Sequence, residues 1–374
     1  MKIVFFINSF SGGGGERVFV NLANDFYNRP MVEVDFIVGS DQGPNKARLD
    51  DRIKITKLSN RCNSISIILN SYKFFYYLIK KSPDVVFSTL ELSNALNVSL
   101  VRLYNFLYRK NVKVITREAN NLYDSGRNEI KKSKGARLSE KFYNMNVSHV
   151  SSIIANSPDT KKDVIDFRKV SSDLVKVIPN PVLDAINTEK AVISKNNNLL
   201  RLVSVGRLTL QKNYNFAIKV VEELNRRGFQ VRYDIYGTGE EIDNLKAEVE
   251  SRSLGHAVLF KGYSDSISSN LEVYDVFILT SLWEGFGNVI VEALANGLPV
   301  VSSNCPGGPK YIIDNSSLGI ISDFNVNSFA DSITEVIHSD TTSKRLSRIK
   351  SCDKYLISEV ANQYYMHICG VLND

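Results

Sequence analysis

Cysteine and histidine are scarce in this sequence of 374 residues, which has four of each. The cysteines, Cys62, Cys305, Cys352 and Cys369, have no paired spacing, and no cysteine–histidine cluster has the spacing of a zinc site. Disulfide frameworks and structural zinc sites both depend on such spacing. The composition therefore excludes both as the basis of the fold, and we expect no bound metal.

Long apolar runs are absent as well. No window holds the roughly 18 uninterrupted apolar residues of a membrane-spanning helix. The amino terminus runs directly into an apolar strand pattern at Lys2–Asn8, without the features of a signal peptide. We therefore expect a cytoplasmic protein.

Acidic residues are few in the first half of the chain. Residues 1–180 carry 28 Lys and Arg against 17 Asp and Glu, whereas residues 181–374 carry 18 against 23. A basic half indicates an anionic partner such as nucleic acid, an acidic membrane face or a lipid phosphate, but a solvated lysine-rich surface explains it equally well. The length predicts two or three domains of about 150 residues each.

A strand–loop–helix–strand–loop unit occupies residues 276–313. The apolar run Val276–Thr280 predicts a buried strand, the turn Glu284–Gly287 precedes a helix from about Asn288, and Gly297 ends that helix. Another strand and a second loop, rich in glycine and proline, follow. In an open parallel sheet such loops meet at the carboxyl edge, where ligands bind.

Two glutamates flank the start of this helix. Glu284 lies in the turn, and Glu292 lies two turns into the helix. Between them, the N–H groups of Phe286, Gly287 and Asn288 have no acceptor within the helix and can bind an anion. This arrangement suits a phosphate with hydroxyl-bearing sugars on both sides, one for each carboxylate.

The string EGFGNVIVEALANGLPVVSS, which begins at Glu284, resembles the signature of family 4 retaining glycosyltransferases. These are nucleotide-sugar enzymes with the two-domain GT-B architecture. The resemblance implies an α/β fold of two facing Rossmann-like, doubly wound domains with the nucleotide-sugar cleft between them. It also implies an acceptor-binding domain at residues 1–183, a donor-binding domain at 184–355 and a helix at 356–374 that packs back on the first domain.

Two glycine-containing loops support this interpretation. Four consecutive glycines separate the first strand from a helix, an order suited to close approach of a phosphate, and Gly13 and Gly14 best match the family's glycine pair. The segment GRLTLQKN, from Gly206, resembles the family's diphosphate clamp. Its Arg207 and Lys212 can present a planar fork and a point charge to one diphosphate.

The resemblance assigns the remaining donor contacts. It implies that Glu292 holds the nucleotide ribose, that Glu284 holds the sugar hydroxyls, and that Tyr263 lies where relatives hold the base. The predicted catalytic groups are Arg207, Lys212 and Glu284. The predicted donor-binding residues are Gly13, Gly14, Gly206, Tyr263, Gly285, Phe286, Gly287, Asn288, Val289 and Glu292. The sequence has no Asp-x-Asp motif, so we expect no metal and no cofactor besides the nucleotide-sugar cosubstrate.

The acceptor side is less recognisable. Many relatives have a histidine near the end of the strand Val112–Arg117, but this chain has none there, so Arg117 and Glu118 are the candidate acceptor contacts, with a structural ion pair as the alternative. The aromatic and basic stretch Ile65–Lys81 predicts a helix with either one buried face or an interfacial face. The basic segment around residues 131–137 is a candidate mobile part of the acceptor side.

The resemblance implies transfer of a hexose or N-acetylhexosamine from a UDP-sugar with retention of configuration, and the missing Asp-x-Asp motif indicates that cations of the protein replace a metal. The expected acceptor is an undecaprenyl-diphosphate-linked glycan of capsule or O-antigen synthesis at the inner face of the plasma membrane. We expect contact with the anionic membrane surface and none with nucleic acid. The alternatives are a silent nucleotide-sugar-binding subunit, a GT-B epimerase and a Rossmann oxidoreductase, the last disfavoured because the dinucleotide fingerprint is missing.

Overall fold

The computed structural model describes residues 1–60, 64–119, 134–191, 199–264 and 266–373. The chain forms two compact units. The first unit comprises Met1–Pro181 together with Ile357–Asp374, and the second comprises Val182–Leu356. The boundaries predicted from the sequence lie after residues 183 and 355.

Each unit contains one parallel sheet, which confirms the predicted α/β class. The strands, in chain order, are β1 (Lys2–Ser9), β2 (Glu33–Ser40), β3 (Lys54–Lys57), β4 (Val85–Thr89), β5 (Lys113–Glu118), β6 (Ser152–Ala155), β7 (Val175–Val177), β8 (Leu199–Val205), β9 (Gln230–Tyr236), β10 (Val258–Gly262), β11 (Val276–Leu279), β12 (Val300–Ser303) and β13 (Gly319–Ser322). The first sheet has the order β3-β2-β1-β4-β5-β6-β7 and the second β10-β9-β8-β11-β12-β13. In the first sheet the order changes direction between β1 and β4, and in the second between β8 and β11. Doubly wound sheets have such a reversal point.

Helices connect the strands. In chain order they are α1 (Gly14–Tyr27), α2 (Ser64–Leu69), α3 (Tyr72–Lys81), α4 (Glu91–Tyr108), α5 (Lys134–Asn146), α6 (Pro158–Arg168), α7 (Tyr214–Arg226), α8 (Ile242–Ser251), α9 (Asn288–Ala295), α10 (Pro309–Ile312), α11 (Val326–His338), α12 (Thr342–Ser351) and α13 (Ile357–Asn373). None of the helices in the described ranges is long and apolar enough to cross a bilayer.

The core of the first unit is aromatic and centres on β1. Phe5 pairs in register with Phe36 of β2 and Phe87 of β4, and its ring centroid lies 5.3 to 5.9 Å from those of its aromatic neighbours. Tyr364 of α13 packs on Phe87 with ring centroids 5.8 Å apart. The run Ile3–Ile7 is wholly buried, because helices cover both faces of a parallel sheet. Residues 357–373 are therefore part of this core.

The stretch Ile65–Lys81 contains two helices instead of one. α2 ends at Leu69 and α3 begins at Tyr72. The side-chain amide of Asn70 donates to the carbonyl of Ser66 at 2.8 Å, and such side chains compete with the helical backbone for hydrogen bonds. Residues 131–133 of the predicted basic segment lie outside the described residues, as does Cys62, whereas residues 134–137 form the start of α5.

Candidate active site

The predicted donor residues of the second unit lie at the carboxyl edge of its sheet. Arg207 and Lys212 follow β8, and Glu284 follows β11. These two strands are neighbours at the point where the strand order reverses. In open α/β sheets this position forms the ligand-binding crevice. The topology thus brings together two loops that are 72 residues apart in sequence.

The loop after β11 is fastened to the loop after β12. The N–H of Glu284 donates to the carbonyl of Pro306 at 3.0 Å, and the N–H of Gly308 donates to that of Gly285 at 3.1 Å. Gly307 has a φ of +113°, and a Cβ there would collide with the carbonyl oxygen of Glu284. Only glycine meets both conditions without strain. The Cys-Pro-Gly-Gly-Pro string at residues 305–309 therefore supports the turn that carries Glu284.

The loop after β8 is held against the same turn. Leu282 N–H donates to the carbonyl of Gln211 at 2.8 Å, and the Gln211 side chain donates back to the carbonyl of Trp283 at 2.8 Å. The hydroxyl of Thr280 donates to the carbonyl of Lys212 at 3.0 Å. Three loops thus form one hydrogen-bonded unit.

Lys212 and Glu284 form an ion pair within this unit. The Lys212 Nζ lies 2.5 Å from Glu284 Oε1, and the hydroxyl of Ser281 donates to the same oxygen at 2.6 Å. Glu284 is 6% exposed. Because the pair is largely desolvated, removal of either partner leaves the other charge without compensation. The sequence predicted both charges but missed Ser281, which carries no signal beyond its position three residues before Glu284.

Arg207 contrasts with Lys212. It is exposed, and no described residue forms an ion pair with its guanidinium. The aliphatic part of Lys212 crosses Gly206, where an added Cβ would lie 3.2 Å from Lys212 Cε. Tyr214 donates to the carbonyl of Gly206 at 3.2 Å, and burial raises the pKa of its hydroxyl well above the usual value. One cation is therefore fixed and the other faces solvent.

Cys305 is buried beside this cluster. Burial, with the charge of Glu284 as the second cause, raises the pKa of its thiol to about 12. The thiol is therefore neutral near pH 7, and since the thiolate is the reactive form of cysteine, this side chain is not a nucleophile.

The helix α9 begins directly after the Glu284 turn. Gly287, at its N-cap, has a φ of +92°, and Phe286 is buried. Glu292 lies in the second turn and is also buried. Asn288 and Val289 occupy the first turn, whose N–H groups cannot be paired within the helix. Tyr263 follows β10 at the same sheet edge and is 67% exposed.

The glycine loop of the first unit leads directly into α1. Gly13 is the N-cap, and the N–H of Arg17 donates to its carbonyl at 3.2 Å. The carboxylate of Glu16 folds back over Gly13 and accepts a hydrogen bond from the hydroxyl of Ser11. Gly14 is the first helical residue. The loop is at the carboxyl end of β1, the position expected for ligand approach.

The two acceptor-side candidates of β5 differ. Glu118 is buried and pairs with Arg168 Nη2 at 3.0 Å, and the same nitrogen lies 3.3 Å from Glu91. Arg117 is fully buried, and its Nε donates to the hydroxyl of Tyr364 at 3.2 Å. The structure thus places Glu118 in the ion pair that the sequence left as the alternative.

Family models match nearly the whole chain. Residues 12–184 match the model described as Glycosyltransferase Family 4, and residues 185–351 match Glycosyl transferases group 1. Among the described residues, no group of three or more His, Cys, Asp or Glu is placed to hold a metal ion.

Curated relatives share 26% to 28% of their residues with the matched parts of this chain. The poly(glycerol-phosphate) alpha-glucosyltransferase of Bacillus subtilis is 28% identical over 52% of this chain, but the match spans only 30% of that protein. The UDP-Gal:alpha-D-GlcNAc-diphosphoundecaprenol alpha-1,3-galactosyltransferase of Escherichia coli is 26% identical over 80% of this chain and 79% of its own length.

A solved structure shares the fold. The crystal structure of Anabaena Alr3699/HepE in complex with UDP superposes with a TM-score of 0.78 and 19% identity, over 99% of this chain and all of that one. This agreement covers both units and supports the GT-B assignment.

Proposed function

Because the two family models together cover residues 12–351, the chain belongs to these glycosyltransferases, and we propose that it transfers a hexose or N-acetylhexosamine from a nucleoside-diphosphate sugar in cell-surface polysaccharide synthesis. The observation that carries this proposal is the Lys212–Glu284 pair at the reversal point of the second sheet. It joins a cation for the leaving group to a carboxylate for the sugar.

The proposed chemistry is departure of a nucleoside diphosphate from the anomeric carbon. Negative charge grows on the diphosphate as this bond breaks, and cations that are already in place stabilise the transition state. Lys212 and Arg207 supply these charges, and the first turn of α9 adds N–H groups. We propose that the two side chains act without a metal ion.

We further propose retention of anomeric configuration, with a leaving phosphate oxygen assisting deprotonation of the acceptor hydroxyl. Glu284 accepts hydrogen bonds from the sugar hydroxyls, and Ser281 and Lys212 hold its carboxylate in position. Proton NMR of the product's anomeric centre tests the stereochemistry. An inverted product contradicts this part of the proposal.

A uridine nucleotide is the proposed donor base. The Escherichia coli relative is named for UDP-galactose, and the Anabaena structure was solved with UDP. A thermal-shift panel of UDP, GDP, ADP, CMP and NAD, each with and without Mg²⁺, tests this choice, because a bound ligand raises the melting temperature by mass action. We expect a metal-independent shift with UDP alone. A shift with NAD only, or with nothing, contradicts the proposal.

Transfer itself is tested with UDP-hexoses, UDP-N-acetylhexosamines and a short prenyl-diphosphate-linked sugar acceptor. Sugar attached to the acceptor supports the proposal. Interconversion of the donor without acceptor indicates an epimerase, and binding without turnover indicates a silent nucleotide-sugar-binding subunit.

The proposed acceptor is a glycan on a lipid diphosphate such as undecaprenyl diphosphate, and the first unit has a surface suited to a membrane. We call it the apolar helix surface. Its exposed apolar side chains are Tyr72, Tyr76 and Ile79 on α3, Leu103, Phe106, Leu107 and Tyr108 on α4, and Leu138, Phe142 and Met145 on α5. The three helices are neighbours: Phe75 of α3 packs on Tyr104 of α4, and Arg102 of α4 bonds to Asn146 of α5 at 2.9 Å.

Basic side chains lie on the same helices as the apolar helix surface. The exposed basic residues on the same helices or at their ends are Lys80, Lys81, Arg102, Arg109, Lys110, Arg137 and Lys141. The acids on these helices are Glu91, which pairs with Arg168, and Glu140. Exposed aromatic and aliphatic side chains with basic neighbours favour binding to an anionic lipid interface. We therefore propose peripheral contact with the inner face of the plasma membrane.

Vesicle flotation tests this contact. The triple variant Phe106→Ser, Leu107→Ser and Met145→Ser should lose binding to vesicles that contain anionic phosphatidylglycerol, because it removes apolar area from the interface. Met366→Ser is the matched control, since Met366 is 63% exposed on α13. Equal flotation of the triple variant and the control contradicts the proposal.

A further inference from the structure

Tyr236 ends β9, in the middle of the predicted donor residues of the second unit. Its carbonyl accepts a hydrogen bond at 2.9 Å from the N–H of Gly206, which opens the loop of the predicted diphosphate clamp. On the other side, the N–H of Gly237 donates to the carbonyl of Gly262 at 2.8 Å, directly before Tyr263. Tyr236 thus lies between the predicted clamp and the predicted base contact.

The ring of Tyr236 lies on the face of the sheet that α9 covers. It packs against the apolar cluster that contains Ile290 and Val291 of α9, and it is only partly buried. The next residue of that helix is Glu292, which is predicted to hold the ribose. A partly buried tyrosine at the carboxyl edge of a parallel sheet offers a ligand an apolar ring and one polar atom.

The hydroxyl of Tyr236 belongs to a hydrogen-bonded chain of side chains. Its oxygen lies 3.0 Å from that of Tyr274, and the Tyr274 hydroxyl donates to Asp234 Oδ2 at 2.9 Å. Arg232 Nε donates to the other carboxylate oxygen, Asp234 Oδ1, at 3.1 Å. Burial, followed by the hydrogen bonds with Tyr236 and Asp234, raises the pKa of Tyr274. The Tyr274 hydroxyl therefore keeps its proton near neutral pH.

The direction of these hydrogen bonds determines what Tyr236 can still offer to a ligand. A carboxylate only accepts hydrogen bonds, and a tyrosine hydroxyl has a single proton to donate. Because Tyr274 gives its proton to Asp234, the bond between the two tyrosines is donated by Tyr236. Tyr236 Oη has thereby used its proton and can only accept a further hydrogen bond. A ligand that meets this oxygen must present a donor.

We propose that Tyr236 determines the base specificity of the donor site, because its Oη accepts a hydrogen bond from the ring N–H of uracil. Uracil has a donor at ring nitrogen N3, whereas cytosine has an acceptor at the same position, and two facing acceptors repel each other. A site built for one hydrogen-bond pattern rejects a ligand that leaves its polar group unpaired. This inference rests on the proposed function, because it requires a nucleotide donor at the carboxyl edge of the second sheet.

Calorimetric titration of the full chain with UDP and, separately, with CDP tests this role. Wild-type protein should bind UDP at least about tenfold more tightly than CDP, and Tyr236→Phe should lower that ratio by about tenfold. Tyr233→Phe is the matched control on the same strand. Its hydroxyl donates to Ser204 at 2.9 Å on the opposite face of the sheet. The control should lower the melting temperature and leave the ratio unchanged.

Asp234→Asn is the sharper variant, because it reverses the direction of the chain. Arg232 holds the side-chain oxygen of the new asparagine, so the amide nitrogen donates to Tyr274. Tyr274 then donates to Tyr236, and Tyr236 donates to the base. We expect the preference to move from UDP toward CDP, whereas a pocket that was merely loosened would bind both nucleotides more weakly and keep their ratio.

The ratio of the two affinities decides the outcome. Wild-type protein that binds UDP and CDP equally, or a wild-type ratio in Tyr236→Phe, overturns the inference whether or not Asp234→Asn folds. Protein that transfers sugar from a UDP-sugar while Tyr236→Phe keeps the wild-type ratio overturns only this inference. Protein that prefers UDP through Tyr236 but transfers no sugar overturns only the proposed function.

Discussion

The carboxyl edges of the two sheets are built in different ways. In the second unit, backbone hydrogen bonds tie together the loops after β8, β11 and β12, and Lys212 is paired with Glu284. In the first unit, Arg117 Nη1 at the end of β5 has no hydrogen-bond partner, and the apolar helix surface lies on helices that cover one face of the sheet. The loops of the second edge hold one another in place, whereas the first edge contains a buried guanidinium nitrogen without a partner. This difference agrees with the proposed roles, in which the second unit binds a constant nucleotide and the first unit binds a variable acceptor.

The largest effect that tests this contrast is expected for Lys212→Ala. It removes the cation proposed to stabilise the leaving diphosphate and leaves Glu284 buried without its partner, so we expect kcat to fall about 100- to 1,000-fold. Steady-state kinetics with a saturating donor measures this. Lys219→Ala, an exposed lysine on α7, serves as control. Turnover as high as that of the control would remove Lys212 from the proposed mechanism.

A glycine substitution tests the rigidity of the second edge. Gly307→Ala combines a positive φ with a collision against the Glu284 carbonyl, so we expect the free energy of unfolding to fall by about 2–3 kcal/mol. Calorimetry should show a lower melting temperature for the second unit. Gly255→Ala, where a Cβ meets nothing within 4 Å, is the control. Equal melting temperatures would mean that the loop is not as constrained as its contacts indicate.

Glu118→Gln tests the role of charge in the first edge. Because Glu118 compensates the buried Arg168, we expect a loss of about 1–3 kcal/mol in stability and an unchanged KM for the acceptor. Asp166→Asn, an exposed acid on α6, is the control. A raised KM at unchanged melting temperature would instead make Glu118 an acceptor contact.

The smallest expected effect is a pH dependence of stability that comes from His367 of α13. His367 Nε2 lies 2.8 Å from the hydroxyl oxygen of Ser152. Its pKa is lowered, first by burial and second by the charge of Lys176. A group with a lowered pKa in the folded state contributes stability above its unfolded pKa of about 6.5 and loses it as the pH falls. Melting temperature should therefore drop below roughly pH 6.5, and His367→Gln should flatten that drop. A parallel decline in both proteins would exclude His367 as its cause.

The difference between the two units also explains which residues could be predicted from the sequence. The predicted donor residues lie in contiguous strings, because a strand, its following loop and the next helix fix their geometry locally. Gly297 has a positive φ, as the predicted helix end favours, and Gly287 has one in the predicted turn before the helix. Backbone sterics of this kind can be read from a single segment.

The first unit was less predictable because its contacts join distant segments. Arg117 meets Tyr364 across 247 residues, and Glu118 meets Arg168 across 50. No local pattern marks either pair. The sequence also treated residues 65–81 as one helix, since apolar periodicity does not register the break that Asn70 introduces. The long-range partners, and which side chains of α3, α4 and α5 are exposed, could be identified only from the structure.

The return of α13 to the first unit has a consequence for biosynthesis. Residues 1–181 emerge first from the ribosome, yet the aromatic face around Phe87 lacks its cover until Tyr364 has been translated. Domains generally fold as units during synthesis, amino-terminal domain first. Here the nascent first unit waits, with an open aromatic face, through the whole translation of the second. The domain that begins first is completed last, and an interrupted chain would expose that face to chaperones or proteases.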